Sequence, residues 1–419
     1  MRGRILSKGF KALRARSPTR LPNTGWTIPG LMAKLPAPMR RALPLLFLFA
    51  ATLHAAPYFP PAGDGWEHRA PAEAGLDAKG VAAAVKHAID NESKDSRDLT
   101  VMQQASFGRE PMSEPLGPLG DRGDPTGIIL RHGYIVAEWG EPGRVSATFS
   151  VTKSFLSTVV GVAVDSGLIP DVHTPVRELV PTEHFESERH GRITWDHLLR
   201  QTSDWDGTLW GKPDWTDRPP RDVPIEEYKK RVHAEPGTTY KYNDTRVNLL
   251  ALAALHVWRK PLPDVLRENI MEPIGASDTW TWHGYSTSWT EIDGVRVQSV
   301  SGGAHYGGGM FINARDMARF GLLTLHRGRW GDRQLISEKW IAQALTPTTV
   351  QPTYGYMNWF LNTDRKLYPA APATTFVHTG AGSNLIYIDP EHDIVAVVRW
   401  IQGSAMNGFI EKLLRAVLE

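Results

Sequence analysis

The chain has 419 residues, no cysteine, 22% charged residues and a formal net charge of +2. The missing cysteine excludes thiol nucleophiles, thiolate metal sites and disulfides, which leaves nucleophilic chemistry to oxygen and nitrogen groups. Residues 1–63 hold ten Lys or Arg and no Asp or Glu; the rest carries 37 basic against 45 acidic residues, a balance that gives no electrostatic case for nucleic-acid binding.

Within that basic leader, Met39-Arg40-Arg41 precedes an apolar run over 43–53 and the small residues Ala55 and Ala56. A basic segment, a short apolar segment and a small-residue cleavage site form a secretory signal over 39–55, too short to remain as a membrane span. The expected product is exported, periplasmic or secreted, with no stable membrane insertion once the signal is cleaved. Residues 1–38 are then either a mis-assigned start, with translation beginning at Met39, or a basic disordered extension. The remainder, 56–419, is expected to form one domain.

Past a Pro-rich linker, residues 75–92 place Val81, Ala84, Val85 and Ala88 at the spacing of an amphipathic helix. Residues 93–125 are polar and rich in Gly and Pro, which predicts a long loop in which Arg122-Gly123-Asp124 is a chance tripeptide. Strand-like runs at 126–131 and 134–139 flank His132-Gly133 as a hairpin. Three further runs, 374–378, 384–389 and 394–400, close the chain with a turn at Pro390-Glu391-His392-Asp393 and a final helix over 407–418. Strands at both ends with helices between them predict an α+β fold. Its antiparallel sheet is built from both termini, about 66–160 and 310–419, and flanked by helices, with an inserted, mostly helical region over about 161–309. In that region Trp205, Trp210 and Trp215, then Trp280, Trp282 and Trp289, are expected on loops, where they pack irregular chain or wall a cleft.

Three places carry chemistry. Ser150-Val151-Thr152-Lys153 runs into an apolar helical face (Phe155, Leu156, Val159, Val160, Ala163) that ends at Gly167. Residues three apart share a helix face, so the Lys153 amine can approach the Ser150 hydroxyl at the positive end of the helix dipole. Burial would lower the lysine pKa and leave an amine able to take the serine proton. The tetrapeptide alone is a weak signal that by itself favours a capping serine and a solvated lysine; the apolar helix behind it argues against a freely solvated lysine. The second place is the turn Pro236 to Asp244, where Tyr242 can pass protons to a leaving group. The third is His378-Thr379-Gly380-Ala381-Gly382, where small residues let a carbonyl approach strand N–H groups able to hold an oxyanion.

The order of these places resembles the serine β-lactamase and penicillin-binding-protein-like family, especially its class C, family VIII esterase and 6-aminohexanoate-dimer hydrolase branches. The resemblance runs from about Gly75 to the end and takes in the stretch from Ile193 to Ser203 and Gly307-Gly308-Gly309-Met310 with the helix after it. It implies Ser150 as nucleophile, Lys153 as general base, and Tyr242 as the tyrosine of a Tyr-x-Asn element. It also implies His378-Thr379-Gly380 at the Lys-Thr-Gly element and an oxyanion hole from the N–H groups of Ser150 and Ala381. Two departures stand out: Asp244 replaces the asparagine and His378 the lysine, both at positions expected to contact substrate. They point away from a β-lactam carboxylate and toward an ester, amide or peptide as the small-molecule substrate. No cofactor or metal is implied, and Gly-x-Ser-x-Gly, His-Glu-x-x-His and Walker-type motifs are missing. The rival class is a non-catalytic cell-wall or ligand-binding protein on the same fold; a D-amino-acid peptidase or β-lactamase remains open among the enzymes.

Overall fold

The computed structural model describes residues 57–63 and 65–418, so the expectations for 1–38 and 39–55 lie outside the described residues. Helix α1 (Ala78–Asp90) is capped by Asp77, whose carboxylate accepts from the Gly80 N–H, and turns Val81, Ala84 and Ala88 inward. The expected loop over 93–125 needs correction, because it contains helix α2 (Leu99–Phe107), capped by Asp98. Only Leu99 and Met102 give that helix a buried apolar side, too little periodicity to register in the sequence. Arg122 is buried and donates to Glu92 and to the carbonyls of Ser93, Asp95 and Gly123, so the tripeptide is not displayed.

Strands β1 (Thr126–Arg131) and β2 (Tyr134–Trp139) form the expected hairpin, and the short β3 (Ser146–Ala147) leads toward helix α3 (Thr152–Asp165). Helix α4 (Asp244–Trp258) follows. A second correction falls next: β4 (Thr281–Ile292) and β5 (Val295–Val300) form a long hairpin where an aromatic loop was expected. Trp205, Trp280 and Trp282 are buried packing residues, whereas Trp289 stands exposed on β4. Then come β6 (Gly309–Ile312), helix α5 (Ala314–Leu325), β7 (Phe360–Leu361), β8 (Phe376–Gly380), β9 (Asn384–Asp389), β10 (Ile394–Arg399) and helix α6 (Met406–Arg415).

The main antiparallel sheet has the order β7-β8-β9-β10-β1-β2, so an early and a late segment of the described chain meet where Ile128 of β1 pairs with Val397 of β10. Alternate residues divide between its faces. Ile128, Leu130, Ile386, Ile388, Val395 and Val397 join the core under α3, α4 and α5. Ile129, Leu385, Tyr387, Ala396 and Val398 join the core that α1 and α6 cover. With both faces covered, these strands are apolar throughout. A smaller sheet, β3-β6-β4-β5, stands beside the turn into α3. Helices α3 and α4 are buried around nearly their whole circumference, as residues 152–163 and 244–255 show. A lysine on one and an aspartate on the other are thereby sealed from water. No helix among the described residues is long and apolar enough to cross a membrane.

Candidate active site

Ser150 sits on a single 3-10 turn, Phe149–Val151, wedged between the small sheet and α3. Two hydrogen bonds fix that turn to β6: the Thr148 N–H donates to the Met310 carbonyl at 2.9 Å, and the Met310 N–H donates to Thr152 Oγ1 at 2.9 Å. Phe149, just before the serine, is held at φ +48°, a left-handed conformation that a buried phenylalanine adopts only when its surroundings impose it. The serine emerges half-buried at the N-terminal end of a fourteen-residue helix.

One turn on, Lys153 is fully buried, and its Nζ donates to Ser150 Oγ at 2.9 Å. The same nitrogen lies 2.9 Å from Asp244 Oδ1 and 3.3 Å from the Gly303 carbonyl. Burial pulls the Lys153 pKa down to about 8; the Asp244 carboxylate resists that pull and the Arg218 cation reinforces it. Lys153 Nζ also stands 4.6 Å from the centre of the Tyr242 ring. The Tyr242 phenol donates to Asn358 Oδ1 at 3.5 Å, and burial raises its pKa, so the group keeps its proton.

Asp244 is the first residue of α4, and Asn243, the middle residue of the Tyr-x-Asp element, caps that helix by accepting from the Arg246 N–H. Asp244 is fully buried, with the His305 N–H on Oδ2 at 3.0 Å and Arg218 NH1 3.2 Å from Oδ1. Burial alone would raise its pKa, but Lys153, Arg218 and His305 outweigh it and hold the carboxyl well below the usual range. The expectation that Asp244 contacts substrate is therefore corrected: its oxygens are spent on interior partners.

His378 is corrected too. Its ring is buried between Trp359, Phe376 and Phe320, with centroids 4.8, 5.9 and 5.5 Å away, so it is enclosed by the core. Burial lowers its pKa to about 3 and leaves the ring neutral. Two residues along β8, Gly380 fits against the serine turn so closely that a Cβ there would meet the Thr148 carbonyl and come within 3.0 Å of the Ser150 nitrogen. Thr379 and Ala381 flank this contact and are half-buried; Thr379 gives its carbonyl to Asn358 Nδ2 at 2.7 Å, and Ala381 gives its own to Asn384 Nδ2 at 2.7 Å.

The sequence did not disclose Arg218, Asp217, His305, Glu110, Gly303 or Asn358. Arg218 NH1 lies 2.5 Å from Asp217 Oδ1, and Asp217 in turn accepts from the Asp244 N–H. His305 Nε2 lies 2.7 Å from Glu110 Oε2 and 3.6 Å from Asp217 Oδ1. These residues come from four separate loops, and only the Gly302-Gly303 pair offered a local signal, as a close backbone approach. A Cβ at Gly303 would fall onto the Asp244 carboxylate and within 2.7 Å of Lys153 Nζ.

A solved family VIII carboxylesterase is similar in fold, with a TM-score of 0.54 at 18% identity, covering 82% of this chain and 99% of the other. A penicillin-binding protein homologue from Caulobacter crescentus reaches a TM-score of 0.52 at 17% identity, over 82% and 99% of the two chains. Among curated proteins, one from Salmonella schwarzengrund (strain CVM19633), provisionally named a D-alanyl-D-alanine carboxypeptidase, is 23% identical over 208 residues. That match takes in 42% of this chain and 48% of the relative, so the chain spans about half the length of the curated relatives it matches. The family model described as Beta-lactamase matches residues 129–408, from β1 to α6, and the chain therefore belongs to the beta-lactamase family, whose members are hydrolytic serine enzymes.

Proposed function

We propose that the protein cleaves ester or amide bonds through an acyl-enzyme on Ser150, and the observation that carries this reading is the 2.9 Å contact from Lys153 Nζ to Ser150 Oγ inside a buried site. Ser150 Oγ attacks the carbonyl carbon while its proton passes to the neutral Lys153 amine. The carbonyl oxygen, now an oxyanion, is held by the N–H groups of Ser150 and Ala381, a role supported by the close approach of Gly380 to the serine turn. Tyr242 protonates the departing alcohol or amine and recovers its proton from the Lys153 ammonium. Water then attacks the acyl carbon with Lys153 and Tyr242 acting in reverse, releasing the acid and free Ser150.

Esters and simple amides are favoured over β-lactams because His378 is turned into the core and leaves the strand with no cation for a ring carboxylate. The name of the Salmonella relative makes a D-alanyl peptide the next substrate to try. A non-catalytic ligand-binding role would leave the serine-lysine contact and the lowered lysine pKa without a use. The leader over 39–55 supports action outside the cytoplasm, in the periplasm or medium.

The test is covalent labelling with a fluorophosphonate, beside turnover of short-chain nitrophenyl esters, nitrocefin, a D-alanyl peptide and an aminohexanoate dimer. Wild type should be labelled and should hydrolyse the esters but not nitrocefin. Ser150→Ala should lose the label and at least about a thousandfold in turnover. Equal labelling of both proteins would refute the assignment.

A further inference from the structure

A carboxylate against a catalytic amine poses a problem that a neutral asparagine would not. Asp244 lies 2.9 Å from Lys153, both side chains being fully buried, and an anion so placed favours the ammonium, which cannot accept the serine proton. When the lysine gives up its proton, an isolated Asp244 would become an unpaired buried charge. Arg218 removes that difficulty, because its NH1 approaches Asp244 Oδ1, the same oxygen that Lys153 contacts, at 3.2 Å. Its side chain is 29% exposed, and its guanidinium lies over the Tyr242 ring, 5.1 Å from the centroid. Asp217 secures the arginine from behind at 2.5 Å.

We propose that Asp244 and Arg218 are positioning residues that govern the protonation of Lys153 from opposite sides: Asp244 holds the amine against Ser150, and Arg218 compensates Asp244 whenever the lysine is neutral. The inference rests on Lys153 being the base for Ser150. Among the described residues, the charged and titratable groups that face the pair come from several elements, with the Tyr285 and Tyr354 phenols beyond them. From α4 comes Asp244, with Tyr242 just before the helix. Asp217 and Arg218 come from the loop ahead of them. His305, from the loop before β6, contributes its N–H to Asp244 Oδ2, and its ring is engaged by Glu110, from the segment after α2. The uncharged neighbours on Lys153 are Ser150 and the Gly303 carbonyl. An amine and a guanidinium on one oxygen of the Asp244 carboxylate thus let the lysine cycle between ammonium and amine with no stranded charge.

The experiment is the rate of fluorophosphonate labelling at Ser150 between about pH 6 and 10, which needs no knowledge of the natural substrate. In the wild type the rate should rise with pH through a limb near 8, where Lys153 loses its proton. In Asp244→Asn the limb should move to lower pH by roughly one unit, since the anion that favoured the ammonium is gone. In Arg218→Gln it should move to higher pH by a similar amount, while Arg218→Lys, which keeps the cation, should return it toward the wild-type position. Opposite displacements are required: a purely structural role would slow labelling without moving the limb. Limbs that stay fixed, or move in the same direction, overturn the inference. Should Arg218→Gln fail to fold, as judged by circular dichroism, the isosteric Asp244→Asn decides alone, and an unmoved limb refutes the proposal. Failure of the serine hydrolase reading looks different, because the wild type itself would then remain unlabelled.

Discussion

Gly380 has an extended backbone at φ −143°, which any residue can adopt, so space alone requires glycine there. A methyl group would strike the Thr148 carbonyl and sit 3.0 Å from the Ser150 nitrogen, either closing the gap that an oxyanion must enter or tilting the serine turn. Gly380→Ala should therefore cut fluorophosphonate labelling by on the order of a hundredfold, the scale of losing one oxyanion donor. Thermal unfolding should change far less, and labelling at the wild-type rate would show that the strand takes no part in the site. At this scale the sequence was readable where a motif and a helical period coincide: Lys153 Nζ lies 2.9 Å from Ser150 Oγ and 4.6 Å from the centre of the Tyr242 ring. It misled at Asp244 and His378, because a position within a motif says nothing of what else will pack there. Phe320 and Trp359, 58 and 19 residues away in sequence, are what turn the histidine into the core. Arg218 was invisible because its meaning comes only from the carboxylates that folding brings to it.

Between residue and molecule, β10 shows how one element holds the site. Arg399, at its end, is fully buried, and burial lowers its pKa to about 9. Among the described residues it donates to Asn384 Oδ1 at 2.6 Å and to the carbonyls of Ile312, Ala147 and Ser146 at 2.7, 2.9 and 3.1 Å. These bonds tie the main sheet to β3 and β6, which carry the serine turn, while Asn384 continues to the Ala381 carbonyl. Arg399→Met would leave three buried carbonyls without their donor, a loss of roughly 3 kcal/mol or more. Urea unfolding should display it, and an unchanged midpoint would mean that water replaces the guanidinium freely. The elements themselves were largely legible: β1, β2, β9, β10 and α1 fall where strand-like runs or helical spacing put them. The β4-β5 hairpin was missed although its turn is spelled Asp293-Gly294, both with positive φ, at 55° and 76°. Its two tryptophans, Trp282 and Trp289, with Trp280 just before them, drew the reading toward a loop, yet aromatic residues are favoured strand formers and that turn pair is a strong hairpin signal.

Across the whole fold, a sheet that joins early and late strands of the described chain and is covered on both faces leaves polar groups of its middle strands nowhere to reach water. His378 on β8 is the case with a measurable consequence. Folded, its pKa is held near 3 by burial; unfolded, it returns to the ordinary histidine value of 6.5. Between those two values the unfolded chain binds a proton that the folded chain refuses, so stability must fall as the pH drops from about 6.5 toward 3 and is unaffected by this group above that window. Other buried histidines contribute in the same direction, among them His190, whose pKa burial lowers to about 4, so the wild-type curve alone would not identify the source. A difference between proteins does. His378→Leu keeps the volume of the site nearly unchanged and removes the titrating ring. Urea denaturation at pH 7.5 and pH 4.5 should show the wild type losing roughly 2–3 kcal/mol more than the variant between the two conditions, the cost of about two pH units below the unfolded pKa. Equal losses in the two proteins would mean that the ring finds a proton acceptor inside the fold, and with it a charged histidine beneath the strand that carries Gly380.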